Sequence, residues 1–445
     1  MHPSMQQKRP NAKMSVDRRL LDSAKALPKT RDSKVFEIPA EAIDKVADEI
    51  RRRTSKDHKI PVVGTSDNVE TPQIFEILPF DRIDTLPNKF FAVDGSHNFH
   101  TFYNGLTVAL YRAGYVCFLQ GRQRRLTKSE DPLVFGQMHQ GNRMLLLSQS
   151  NAEEMYDELL TLPPVHALLG LFDAPAEEVF GYAKDQLVTS ISSLLSFAQQ
   201  VLEWACVYEI VQRTDCVSGD YILLDGALRS LHIKQRFLVK LGHLIQAKGI
   251  RIVGVTKQSP IKTELSYTFT KIDNYLQNKL RPQYPFTQHD PRRQKLCCYF
   301  EVRDDILEAA YGGSNSGIYI KKDVTGGRGF GLFFAARLDY VEKLQNYDWI
   351  ICDVNIYDAV PEIGHGDLKR DATTIGSLFR DLTALTQEHY ILGYPYPLVE
   401  AHNFVTLKSE FHDQAVRLLK HALYTSQQMD HTDIENLFLD IHQRF

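Results

Sequence analysis

Residues 221–257 constrain the fold of this chain most tightly. "YILLDGALRS" is a short apolar run closed by turn residues, "HIKQRFLVKLGHLIQAKG" repeats its apolar residues at helical spacing, and "IRIVGVTK" is a second apolar run. A strand, a helix and a strand in that order predict a parallel pair of buried strands with a crossover between them. The segment from Ala176 to Arg213 precedes this unit; it has no proline, one glycine and apolar residues at three and four, which predicts one long helix with a bend near Gly181. With 445 residues and 43% apolar content, the chain is long enough to bury a large core. The predicted class is α/β.

Further strands are expected at "KFFAVDGS" and within "LTVALYRAGYVCFLQG", the latter read as two strands turning at Ala113-Gly114. Strand-like runs recur at "KLCCYFEV", "SGIYIKKD", "GLFFAARLDY" and "DWIICDVNIYD", with glycine-rich turns "GGSNSG" and "GGRGFG" among them. The stretch from Ile261 to Asp290 reads as a loop-rich insertion. Two helices, "LKRDATTIGSLFRDLTALTQEH" and "SEFHDQAVRLLKHALYTSQQ", flank "GYPYPLVEAHNF", whose prolines predict a loop.

Two segments share one design. "FFAVDGS" and "YILLDGA" each place an aspartate and a glycine after four apolar residues, at the expected carboxyl end of a buried strand, where α/β sheets bind ligands. A single Asp-Gly is ordinary turn chemistry. Two copies on neighbouring strands bring Asp94 and Asp225 together, and paired carboxylates repel unless they are protonated or neutralised by a hard divalent cation. Glu209, late in the long helix, lies in line with Val201, Leu202 and Ala205 and points toward the core side; Glu203 is the competing acid, and an ion pair with Arg213 is the structural alternative for Glu209. The proline-rich segment adds Tyr394, Tyr396, Glu400 and His402, groups that bind a metal, move a proton or stack on a base, or that simply pack locally.

Taken in order, "FAVDGSH", a helical glutamate before "YILLDGALRS", "IVGVTK", "FFAARLD" and "GYPYPLVEAH" resemble the NurA nuclease family across residues 90 to about 410. The resemblance implies an RNase H-like core with a mixed sheet and flanking helices, dependence on Mn²⁺ or Mg²⁺ at a two-metal site, and action on DNA with a HerA-type hexameric ATPase. It implies catalytic or metal roles for Asp94, Asp225 and His402. Glu209 matches the family's helical acid, sixteen residues before Asp225, and Tyr394 matches a tyrosine eight residues before His402. Lys257, after "IVGVT", matches a lysine able to contact phosphate, as Tyr394 is able to orient the strand. The implied organisation is a polar and helical N-terminal extension over residues 1–70, a nuclease domain over 71–425 and a helical tail over 426–445. The implied function is 5′–3′ exonuclease or single-strand endonuclease activity, in end resection and repair or in defence against phage, by a homodimer. The alternative is an inactive RNase H-like scaffold subunit of an ATPase complex.

Bulk properties limit what else the chain does. The net charge is −3, from 52 basic and 55 acidic residues, so any polyanion site is local, as at "GRQRR" and "DPRRQK". The six cysteines form no CxxC pair, which fits a reducing compartment rather than a zinc or redox centre. No apolar signal core or run of membrane-spanning length is present, so a cytoplasmic protein is expected. There is no GxxxxGK[ST] loop, and "GGRGFG" lacks the lysine and hydroxyl that cradle phosphate and magnesium, so motor activity is expected to come from a partner. His97 and His100, although near Asp94, have no partner spacing that makes them ligands.

Overall fold

The computed structural model describes residues 74–77, 88–101, 107–120, 126–128, 143–147, 152–279, 296–303, 331–339, 348–359, 371–386, 393–406 and 409–426, with isolated positions besides. The strands are β1 (Phe75–Glu76), β2 (Lys89–Thr101), β3 (Thr107–Gln120), β4 (Leu126–Lys128), β5 (Arg143–Leu147), β6 (Tyr221–Asp225), β7 (Arg251–Thr256), β8 (Cys298–Glu301), β9 (Gly331–Arg337) and β10 (Ile350–Asn355). The helices are α1 (Ala152–Thr161), α2 (Pro163–Phe172), α3 (Ala176–Val179), α4 (Lys184–Val188), α5 (Ile191–Gln212), α6 (Gln235–Ala247), α7 (Pro260–Lys279), α8 (Ile356–Ala359), α9 (Ala372–Ala384), α10 (Tyr396–Val405) and α11 (Ser409–Ser426).

One mixed sheet carries the fold, in the order β1-β8-β9-β10-β7-β6-β2-β3-β4, with β5 also on β3. The predicted parallel pair is present: β6 runs parallel to β7 and, on its other side, to β2. On β2 the sheet turns antiparallel through β3 to β4. Three antiparallel strands, the first of them paired in parallel to a fourth and the fourth to a fifth, make the expected RNase H-like core. Antiparallel β10, β9, β8 and β1 extend it beyond β7.

Both faces of the sheet are covered, as the continuous apolar strands require. On β9, Leu332, Phe334 and Ala336 belong to the main core, whereas Phe333 and Ala335 face a second cluster built on Ile261, Leu265, Phe269, Ile272 and Leu276. Those five residues recur at three and four because 260–279 is the helix α7, not the loop expected from Ile261 onward. Interspersed Thr, Ser and Asn mask the period in sequence; residues 280–290 lie outside the described set.

Three other local expectations are corrected. The long helix from Ala176 is three helices, because Gly181 donates its N–H to the His232 carbonyl and Ser190 caps a new start by accepting from Ser193. A Cβ at Gly181 would come within 2.8 Å of the Leu231 carbonyl, so glycine is what lets the two segments approach this closely. No turn occurs at Ala113-Gly114: β3 is one strand, paired to β2 from Thr107 to Leu119, and Gly114 faces Asp94. The prolines of "GYPYP" begin α10 rather than interrupt it, since proline is favoured where helix N–H groups lack partners anyway. "GRQRR", "DPRRQK", "SGIYIKKD" and both glycine-rich turns lie outside the described residues.

Candidate metal centre

Strands β2 and β6 run together only as far as Val93 and Leu224; the next residues are Asp94 and Asp225. The two carboxylates therefore stand at the carboxyl edge of the parallel pair, where the strands part. Asp225 ends β6, but β2 continues through Gly95 to Thr101 against β3, so Asp94 is not a turn residue.

Side chains alternate along a strand, so Asp94 and Gly95 point to opposite faces. On the face of Asp94 lies α10, fixed to β3 by a 2.9 Å hydrogen bond from the Arg112 guanidinium to the Phe404 carbonyl. His402 of α10 places Nδ1 2.9 Å from Asp94 Oδ2, with the imidazole half open to solvent. On the face of Gly95 lies α5. A Cβ at position 95 would meet Glu203 Oε1 at 2.5 Å and Gln199 Cγ at 2.6 Å, so glycine is what lets the helix reach the strand backbone.

Tyr394 is buried and donates its hydroxyl proton to Asp225 Oδ1 at 3.0 Å. The Lys257 ammonium lies 3.8 Å above the Tyr394 ring, and its charge favours ionised Asp225. Tyr396 instead packs edge-on against Phe118. Thus Tyr394, not Tyr396, is the tyrosine at the aspartates.

The two competing glutamates separate cleanly. Glu203 is buried beside Gly95, and the negative charges acting on it are those of Asp94 and then Asp225. Glu209 lies six residues further along α5, about 9 Å along the axis, on a different face of the helix. Its Oε1 accepts from the Tyr115 hydroxyl at 3.1 Å, and Tyr115 also accepts from Arg213. Of the two glutamates weighed for a place beside the aspartates, the structure brings Glu203 to Gly95 and within the charges of Asp94 and Asp225, and sets Glu209 with Tyr115 and Arg213. Apolar phase could not choose between them because α5 is buried on most of its circumference, with both Val201–Leu202 and Trp204–Val207 in the core.

Burial raises the proton affinity of all three acids, and neighbouring charge adds to it at two of them. Burial, then the charge of Asp225, pushes Asp94 up to about 6; burial, then Asp94, pushes Glu203 up to about 8; burial also raises Asp225. One ligand atom each from Asp94, Asp225 and His402 lies within 4.8 Å of the others. Carboxylate oxygens with one imidazole nitrogen are a donor set for Mn²⁺ or Mg²⁺, and a divalent charge among them would offset the burial that raises the three acids and the repulsion that adds to it at Asp94 and Glu203. The residues therefore fit the metal. The six cysteines are all buried and unpaired in disulfides, and play no part in it.

A stability consequence follows. Above about pH 4, where ordinary carboxyls ionise, the unfolded chain has released protons that native Glu203 and Asp94 still hold. The native state then binds more protons, so these groups make stability fall as pH rises from about 4 through the folded values near 6 and 8. Melting of the native chain in EDTA, compared with Glu203→Gln, should show a gap in favour of the variant that widens from pH 5 to pH 8. Added Mn²⁺ should raise the native melting temperature more at pH 8 than at pH 6, since protons compete with the metal. A gap that stays constant over this range would contradict the assigned crowding.

The family profile described as the NurA domain matches residues 88–407. Similar solved structures include the crystal structure of the NurA nuclease from Sulfolobus solfataricus, at 12% identity over 93% of this chain and 99% of that one, with a TM-score of 0.39. Another, described as the crystal structure of NurA, is 11% identical over 88% of this chain and 97% of that one, with a TM-score of 0.33. A third, described as NurA with manganese, is 10% identical over 87% and 99%, with a TM-score of 0.31. No curated protein matches the chain.

Proposed function

The chain belongs to the NurA family, and from that premise we propose that it is a metal-dependent deoxyribonuclease whose centre is formed by Asp94, Asp225, Glu203 and His402. The observation that carries this reading is the convergence of Asp94, Asp225 and His402 at the parting of β2 and β6, with Glu203 beside them raised by burial and then by the charge of Asp94.

A divalent metal bound here would supply the charge that polarises a phosphodiester and lowers the pKa of attacking water. The protein groups have separate tasks. Asp94 and Asp225 offer hard oxygen donors from rigid strands, and Glu203 offers a third from the opposite face through the gap at Gly95. His402, half open to solvent, is held by Asp94 through Nδ1, so Nε2 would be the nitrogen to bind metal or to hand a proton to the leaving oxygen. Tyr394 holds Asp225 from below, and the exposed Lys257 stacked upon it is placed for a phosphate arriving from solvent.

The substrate we infer is DNA, with the 5′–3′ exonuclease or single-strand endonuclease modes as the family's activities, in a homodimer driven by a HerA-type ATPase. Support for a separate motor is the absence of a phosphate-cradling GxxxxGK[ST] loop in the chain. The reading places the protein where DNA ends are resected or foreign DNA is destroyed. Among the described residues no helix is long and apolar enough to cross a membrane.

Incubation of the purified chain with end-labelled single- and double-stranded DNA should give cleavage in Mn²⁺ or Mg²⁺ and none in EDTA. DNA binding without cleavage under all metal conditions would instead favour the inactive-scaffold reading.

A further inference from the structure

Gln199 has no place in the reading above, yet all of its polar atoms are engaged at the site. It lies one helical turn before Glu203 on α5. Its Nε2 donates to the Gly95 carbonyl at 3.1 Å and to Glu203 Oε1 at 2.8 Å, and its Oε1 lies 2.6 Å from His97 Nδ1.

The amide orientation follows from the partners. A backbone carbonyl can only accept, so Gly95 must face the NH₂ group, which also reaches Glu203; the amide oxygen is left for His97. His97 Nδ1 must then carry the hydrogen that it donates. Rotating the amide by half a turn would set its oxygen against the Gly95 carbonyl, an acceptor, and lose that contact. Strand β2 thus clamps Gln199 at two points, the Gly95 carbonyl and the His97 ring, and Gln199 presents its remaining N–H to Glu203.

We propose that Gln199 is a positioning residue for the metal centre: clamped by Gly95 and His97, it holds the Glu203 carboxylate in the orientation that faces Asp94 and Asp225. This rests on the assignment of Glu203 to the centre. Glutamate has three rotatable bonds, and a carboxylate pressed toward two others turns away unless something holds it. A hydrogen bond donated to a ligating carboxylate both fixes its rotamer and favours its charged form; loss of such an outer partner typically weakens metal binding about 10–100-fold. His97 gains a role that its spacing from Asp94 did not suggest, as the lock on the amide rather than a ligand.

The test is Mn²⁺ affinity of the full chain, read from the electron paramagnetic resonance signal of free Mn²⁺. Gln199→Leu should weaken binding about 10–100-fold. His97→Leu should weaken it less, and His97→Asn, whose amide N–H sits where Nδ1–H was, should restore native affinity. A purely structural role would not be rescued in this way. In a Glu203→Gln background, Gln199→Leu should change affinity less than about two-fold, because coupled residues are not additive. Native affinity in Gln199→Leu, or an equal loss in the Glu203→Gln background, overturns the proposal. Failure of the underlying metal assignment looks different: Asp94→Ala would then bind Mn²⁺ as the native chain does. If Gln199→Leu fails to fold by circular dichroism, Gln199→Asn, which keeps an amide but withdraws it by one methylene, carries the same comparison.

Discussion

Asp225→Asn and Asp94→Asn should each abolish metal-dependent cleavage, by on the order of a thousand-fold or more, the scale on which removing one group that stabilises transition-state charge is felt. Each change is isosteric and removes one negative charge from a crowded pair. Because burial raises both acids, and the charge of Asp225 raises Asp94 further, the neutral amide should leave the melting temperature in EDTA unchanged or higher. Asp225→Asn is the cleaner of the two, since an amide oxygen can still accept from Tyr394. In Asp94→Asn the amide oxygen can take the Gly95 N–H, but its NH₂ then meets His402 Nδ1, which must shift to the tautomer that accepts. Activity lost together with stability kept is the signature of a site, since a structural aspartate would lose both. Mn²⁺-dependent cleavage within ten-fold of native in Asp225→Asn would remove the aspartate pair from the centre.

Much of this was legible before any coordinates, and for a definite reason. The parallel unit of β6, α6 and β7 is written in period and turn chemistry alone, and a buried strand ending in Asp-Gly marks its own carboxyl edge. The pairing of Asp94 with Asp225 needed only the inference that β2 and β6 are neighbours. What could not be read lies where tertiary packing overrides local preference. Glycine usually signals a turn, yet Gly114 sits inside β3, and Gly95 serves close approach of a helix. Prolines usually stop helices, yet those near Tyr396 start one. Gln199 carried one faint signal: it and Glu203 form a polar pair one turn apart in a helix that is otherwise largely apolar. His97 carried none, because its contact depends on a helix a hundred residues away.

The choice between the two acids of α5 decides whether the geometry or the spacing in sequence identifies the third carboxylate. Glu203→Gln should lower cleavage about a hundred-fold or more and weaken Mn²⁺ binding, because it removes a charged donor that faces both aspartates. Glu209→Gln should stay within a few-fold of native. Its amide oxygen can still accept from Tyr115, so the change costs at most about 1 kcal/mol of stability, the net value of an ordinary hydrogen bond. Parallel measurement of kcat/KM and of the melting temperature in EDTA separates these outcomes. If Glu209→Gln were the dead variant and Glu203→Gln the active one, α5 would have to turn by about a third of a revolution to bring Glu209 toward the aspartates. The contacts that forbid this are specific: Gly95 against the Glu203 carboxylate on one side, and Tyr115 with Arg213 around Glu209 on the other. The helix is therefore held in phase at two points about 9 Å apart along its axis, with the glutamate opposite Gly95 as the one on which the charges of Asp94 and Asp225 act.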